Sequence, residues 1–403
     1  MGVALGALTA LSAGLAPNAV ADGVQPKQWY LDAMDADQLW KVSTGKGIKV
    51  AVVDTGVNPA TPSLKGQVLT AEVPKSVAFH ATKDYSGHGT TIAELIAGTG
   101  AGGGLKGLAP GSKIVPYRVN LAGLKGASER KRTPDPVQAI RAAADSDAQI
   151  INMSFAGDTI SPGEQEAIEY AASKGKLMFA GVGNNAQQKR SAVEYPAAYP
   201  YVVGVAASDK SGSVGDFSAY GRGVDLAAPG LDVPRWCDTA FRSYCGGAEG
   251  TSAASAIAAA SAALIWSAHP DWTANQVSRV LLDTAGRDWP KSAPSKYLGY
   301  GLIRPSRSLL HGEGKPGAAD VDPVSNERTS TASSDTGATP SASVPASSQP
   351  SKSTSGGETS AAGSTSKSSS DGNDQLWIVL GVAAAVVVIG GGVFAVMRAR
   401  RSG

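Results

Sequence analysis

Cysteine is nearly absent from this 403-residue chain, which has only Cys237 and Cys245, and histidine occurs four times. Two cysteines with seven residues between them do not make a structural zinc site. His80 and His88 stand eight apart, which is not a metal spacing on a helix, so no metal ion is expected. The scattered acids Asp32, Asp35 and Asp37 are expected to face solvent. Charged residues make up 17% of the chain and the net charge is +2, which argues against a nucleic-acid-binding surface. Aromatic residues are few, at 6%. The glycine-rich run GTGAGGG (98–104) follows a helical pattern rather than linking a strand to a helix, and no Lys-Ser/Thr follows it. It reads as a loop and not as a phosphate cradle, and no cofactor is expected.

What is present is distributed unevenly. Residues 1–21 (MGVALGALTALSAGLAPNAVA) hold an apolar run from Val3 to Leu15, a breaker at Pro17 and the small-x-small triplet Ala19-Val20-Ala21. That is the pattern of an export signal, here without the usual leading cation. At the other end, Leu376 to Met397 is a run of 22 residues without charge, about 33 Å long as a helix and so long enough to span a bilayer. Trp377 stands at its outer edge, and Arg398, Arg400 and Arg401 follow at once, marking the cytoplasmic side. The two signals agree on a single-pass membrane protein. Its transmembrane helix is expected at 375–397 and its short cytoplasmic tail at 398–403, with the rest outside the cell and the lipid bilayer as a partner. Residues 311–374 are rich in Ser, Thr, Gly, Ala and Pro and nearly devoid of large apolar side chains, which predicts a disordered tether. A flexible coil of that size has ends on the order of 45 Å apart. Outside the cell Cys237 and Cys245 are expected to form a disulfide, worth roughly 2–3 kcal/mol in the chain-entropy model.

The remaining residues predict an α/β fold. Short continuous apolar runs at 48–53, 114–119, 149–155, 177–182, 202–207 and 224–227 have the character of strands buried on both faces. Helical patterns lie between and after them, at 88–97, 136–145, 162–173, 252–268 and 274–285. Ser161-Pro162 followed by acids is a helix start. The alternation implies a doubly wound parallel sheet with helices on both faces, over a folded domain at 48–310. Residues 22–47 read as a strap leading into it.

Active residues in such sheets gather at the carboxyl ends of the strands. Asp54 ends the first strand, His88 lies between two glycines at the start of a helix, and Ser252 follows Gly250-Thr251 at the head of an alanine-rich helix. Each has an ordinary reading: a turn aspartate, a structural histidine, a helix-capping serine. Together they supply what a serine nucleophile lacks. A hydroxyl at neutral pH needs a base, and an imidazole base needs a carboxylate to fix its tautomer and stabilise the imidazolium. At the head of a helix the nucleophile's own N–H can meet a developing oxyanion.

The segments AVVDTGV, GHGTTIAELIAG and GTSAASA, in that order, resemble the three catalytic blocks of the subtilisin-like serine proteases (peptidase S8 family). GLAPGSKIVPYRV, IINMSFAG and VDLAAPG resemble that family's intervening blocks. The resemblance implies a subtilisin-like fold and catalysis by Asp54, His88 and Ser252. FAGVGNNA resembles the block whose Asn donates to the oxyanion, which falls on Asn184, with Asn185 a rival one position away. Ser154, Phe155 and Gly157 resemble the segment lining the pocket for the residue before the scissile bond. Three positions depart from the family's pattern: Thr91 for a second His, Ala253 for Met and Ala256 for Pro.

Only 32 residues separate Ala21 from Asp54, too few for a propeptide domain with its own core. The signal, short strap, low-complexity tether and single C-terminal helix resemble the mycosins, membrane-anchored subtilisin-like proteases associated with type VII secretion. That resemblance implies exported proteins or peptides as substrates and secretion-channel membrane components as partners. It also admits a structural subunit of the secretion complex in which catalysis is dispensable.

Overall fold

The computed structural model describes residues 23–188 and 192–329. The export signal at 1–21, the transmembrane segment at 375–397 and the tail at 398–403 lie outside the described residues, as does most of the stretch 311–374.

Six strands form one parallel sheet: β1 (Lys49–Asp54), β2 (Lys113–Arg118), β3 (Ile150–Met153), β4 (Leu177–Gly181), β5 (Val202–Ser208) and β6 (Leu226–Pro229), in the order β2-β1-β3-β4-β5-β6. All six coincide with the predicted apolar runs. Val50 and Val52 of β1 face one core while Ala51 and Val53 face the other, the period of two that a strand covered on both sides requires. The reversal of strand order occurs at β1, where ligands bind in sheets of this kind.

Nine helices accompany the sheet among the described residues. Two short ones, α1 (Trp29–Ala33) and α2 (Ala36–Val42), occupy the segment predicted as a strap and bury Tyr30 and Leu39 against the domain. Tyr30, Met34, Ala36 and Leu39 of this segment make apolar contacts that stabilise helix only once packed. The others are α3 (His88–Ala97), α4 (Ala127–Arg132), α5 (Pro136–Ala144), α6 (Pro162–Ser173), α7 (Thr251–Ala268), α8 (Ala274–Thr284) and α9 (Pro305–Leu309). Apolar residues of α3, α7 and α8 pack on one face of the sheet and those of α5 and α6 on the other. Capping follows the sequence: Asp135 and Thr273 each form a capping box with the glutamine three residues on, and Ser161 accepts from Glu164 N.

Helix α7 is the one helix among the described residues long and apolar enough to cross a membrane, and it is a core helix, largely buried. Its alanines let it approach the sheet closely; a Cβ on Gly181 of β4 would stand 2.6 Å from Thr251 Oγ1. An antiparallel hairpin, β7 (Val233–Trp236) and β8 (Tyr244–Ala248), precedes it. The hairpin is absent from the sequence expectations because GGA and VPR lack strand propensity. Cys237 and Cys245 are joined in a disulfide across its turn.

The tether does not begin at 311. Thr273 Oγ1 and Asn275 Nδ2 donate to Ala319 O (2.8 and 3.1 Å), Asn275 Nδ2 to Thr329 Oγ1 (2.7 Å) and Tyr201 OH to Glu327 Oε2 (2.7 Å). Polar side chains of the domain thus hold a segment that has no apolar periodicity of its own.

Candidate active site

Asp54 closes β1 with no exposure to solvent, and its carboxylate is held from two sides. Thr55 N donates to Oδ1 at 2.7 Å, with Thr55 Oγ1 3.1 Å away, and His88 Nδ1 lies 2.8 Å from Oδ1 and 3.0 Å from Oδ2. A carboxylate accepts only, so Nδ1 carries the proton and Nε2 is left as the acceptor. Burial works against the charged imidazole, but the Asp54 charge and its hydrogen bond outweigh it. His88 is therefore held above its ordinary range.

The turn that delivers His88 is built around Asp84, a residue the sequence reading passed over. Its Oδ1 accepts from Thr55 Oγ1 (2.7 Å), Ser86 N (3.0 Å) and Gly87 N (2.9 Å), and its Oδ2 from Thr90 N (2.8 Å) and Thr90 Oγ1 (2.7 Å). An Asp two and three residues before the amides it accepts is a turn signature, legible in DYSGHG once the helix start is known. Gly89 must be glycine because a Cβ there would stand 2.2 Å from Gly56 O and would crowd the Asp54 carboxylate at 3.1 Å.

Helix α7 begins at Thr251, with Gly250 at the N-cap and no side-chain cap bond. The capping alternative for Ser252 therefore fails. Its Oγ donates instead to Ser154 O at 3.2 Å. No hydrogen bond joins it to His88, although both line one cavity of about 410 Å³ with Asn184, Arg235 and Trp236. Unliganded sites often hold such contacts open, and one χ1 rotation moves a serine hydroxyl between partners. The N–H of Ser252, in the first turn of α7, has no acceptor within the helix.

The two asparagines separate cleanly. Asn185 Nδ2 donates to Glu194 Oε1 at 2.8 Å. Asn184 Oδ1 accepts from Thr251 N (2.9 Å) and Thr251 Oγ1 (3.1 Å), which aims its NH₂ away from these bonds. Asn184 and Ser252 also border a second cavity of about 210 Å³, lined by Ser154, Phe155, Ala156 and Glu194. Gly157 does not line it; its backbone pairs with that of Tyr195 at 2.9 and 2.8 Å. Two of the other histidines have partners elsewhere. His80 lies 3.3 Å from Glu129, and His269 stacks on Trp272.

The β7–β8 hairpin forms one wall of the larger cavity. Thr91 Oγ1, at the position that departs from the family pattern, accepts from Trp236 N at 3.1 Å and ties the hairpin to α3. A second tie is buried: Thr61 Oγ1 and Tyr244 OH donate to Glu94 at 2.7 and 2.8 Å. Burial pushes the Glu94 carboxyl up to about 7, against the pull of those hydrogen bonds. A carboxyl with a raised folded value stabilises the fold fully below its unfolded value of about 4.5, and that contribution is lost as pH rises through about 7. Glu94→Gln is therefore expected to flatten the fall in melting temperature between pH 5 and 8. The effect at pH 8 should be on the order of 3 kcal/mol at most. Thermal melts across that range check it; an unchanged slope would contradict it.

Comparison with known proteins places these residues in a context. The subtilase family model matches residues 45–301. The minor extracellular protease Epr of Bacillus subtilis (strain 168) is 32% identical over 286 residues, covering 69% of this chain and 41% of that protein. The chain spans about two-fifths to two-thirds of the length of the first curated relatives it matches. Among solved structures, MycP3 protease from the type VII (ESX-3) secretion system is similar at a TM-score of 0.57 and 27% identity, covering 73% of this chain and 90% of that one. MycP1, described as an essential component of the type VII (ESX-1) secretion system, is similar at 0.58 and 27%, covering 70% and 88%.

Proposed function

The chain belongs to the subtilase family, and from that premise we propose that it is a membrane-anchored extracellular serine endopeptidase acting in type VII protein secretion. One observation carries the catalytic part. A hydrogen-bonded Asp54–His88 pair, the Ser252 hydroxyl and the Asn184 amide all converge on one cleft.

In the reaction, Ser252 Oγ turns from Ser154 O toward His88 Nε2, gives up its proton there and attacks the scissile carbonyl carbon. Asp54 stays ionised, keeps the Nδ1 proton in place and stabilises the imidazolium. The carbonyl oxygen gains charge between Ser252 N–H and Asn184 Nδ2. His88 then protonates the leaving amine as the C–N bond breaks, leaving an acyl ester on Ser252. Water, deprotonated by the same imidazole, releases the acid and restores the serine.

Asn184→Ala is expected to lower kcat by about 10²–10³ with little change in KM, because the oxyanion forms only after binding; the magnitude is that known for subtilisin's oxyanion asparagine. Steady-state kinetics on an internally quenched peptide check it, and an equal loss in KM would assign Asn184 to substrate binding instead.

The mycosin-like architecture and the MycP1 and MycP3 neighbours support the secretion role. The test compares deletion of the chain with Ser252→Ala in the producing cell. Loss of secretion or of substrate processing in both supports an endopeptidase role. Loss on deletion alone assigns the chain a scaffold role.

A further inference from the structure

We propose that the 210 Å³ cavity beside Ser252 accepts a cationic side chain, that of lysine or arginine, on the acyl side of the scissile bond, and that Glu194 selects it. This rests on the reading of Ser252 as the nucleophile. Ser252 and Asn184 border both cavities, so a carbonyl seated between them directs its own residue's side chain into the smaller one. Phe155 and Ala156 offer apolar surface to a methylene stem. Glu194 is the one charged residue lining this cavity, and it is 6% exposed.

The site is built for that carboxylate. It packs over Gly183, whose φ of +111° favours glycine and where a Cβ would stand 2.7 Å from Glu194 Cδ. Asn185 Nδ2 holds Oε1 at 2.8 Å, and among the described residues no cation pairs with it. Among the described residues this nearly buried carboxylate has one neutral donor, and a lysine or arginine entering the pocket would supply it with an opposite charge. A leucine or phenylalanine would remove the remaining water and leave the carboxylate unpaired, which penalises the apolar substrate.

The test uses the full chain in detergent micelles and peptide p-nitroanilides that differ only in the residue before the anilide. The expected kcat/KM for Arg and Lys exceeds that for Leu and Phe by about 30-fold or more. Glu194→Gln, which keeps the shape and an acceptor for Asn185, should remove that preference, lowering kcat/KM for Arg and Lys and raising it for Leu and Phe. Glu194→Asp should retain part of it. Binding of p-aminobenzamidine, followed by fluorescence, needs no turnover and should weaken about tenfold or more in Glu194→Gln, in the Ser252→Ala background as well. Equal or better hydrolysis of Leu and Phe substrates by the unmodified chain would overturn the proposal. So would an equal loss on all substrates in Glu194→Gln, or amidine binding indifferent to the substitution. Amidine binding that depends on Glu194 in a chain that hydrolyses nothing would uphold the pocket and sink the peptidase reading.

Discussion

Replacing Ser252 with alanine is expected to lower kcat on a peptide substrate by about 10⁶-fold, the loss measured for the equivalent change in subtilisin. The geometry explains why the loss should be nearly complete while the fold survives. Ser252 lies in the first turn of α7 and makes no cap bond, so alanine, the best helix former, suits the position. The lost hydrogen bond to Ser154 O costs about 1 kcal/mol. KM should stay within a few-fold, because the cavity walls and the Asn184 amide remain. What disappears is the covalent step. Melting temperature and active-site-titrated kinetics separate the two effects. A variant that keeps more than about a hundredth of the activity would mean that another group attacks the carbonyl.

The second large effect is expected from Asp54→Asn, about 10⁴-fold in kcat, as for the equivalent exchange in the trypsin family. The substitution keeps size and burial but places a donor where His88 Nδ1–H now donates. The imidazole must then present the wrong tautomer, with its proton on Nε2 facing Ser252. The pH profile supplies an independent sign. The neutral imidazole is the base, and Asp54 helps hold His88 above its ordinary value, so kcat/KM of the unmodified chain should rise with pH through a midpoint above about 6.5. Without the Asp54 charge, burial acts alone and the acid limb should move to lower pH. A profile that shifts upward, or an activity within tenfold of the unmodified chain, would remove Asp54 from the relay.

The sheet was legible because each of its strands is a continuous apolar run, and the helices α5, α6 and α8 because their capping residues and patterning agree, while α3 and α7 showed as apolar, helix-forming stretches that follow glycines. Asp54, His88 and Ser252 were legible as residues at strand ends and helix heads, which topology then brings to one cleft. What local pattern could not carry depends on distant partners. Helices α1 and α2 are too short to announce themselves and exist by packing Tyr30 and Leu39 on the domain. The β7–β8 hairpin is held by Thr91 and Glu94, some 150 positions away in the chain. Glu194 reads as an unremarkable acid in SAVEYP until Gly183 and Asn185 are seen beside it. Asn184 and Asn185 were adjacent candidates until the Thr251 and Glu194 hydrogen bonds gave each its own task.

Reaction of the purified chain with a fluorophosphonate, followed by peptide mass spectrometry, asks the central question directly: whether His88 makes Ser252 nucleophilic. Attack forms an Oγ–P bond, expels fluoride and passes the serine proton to His88. The account predicts one adduct, on the peptide holding Ser252, formed faster as pH rises through the raised His88 value and nearly abolished in a folded His88→Ala chain. A folded chain that forms no adduct, or carries it on a different serine, would contradict it.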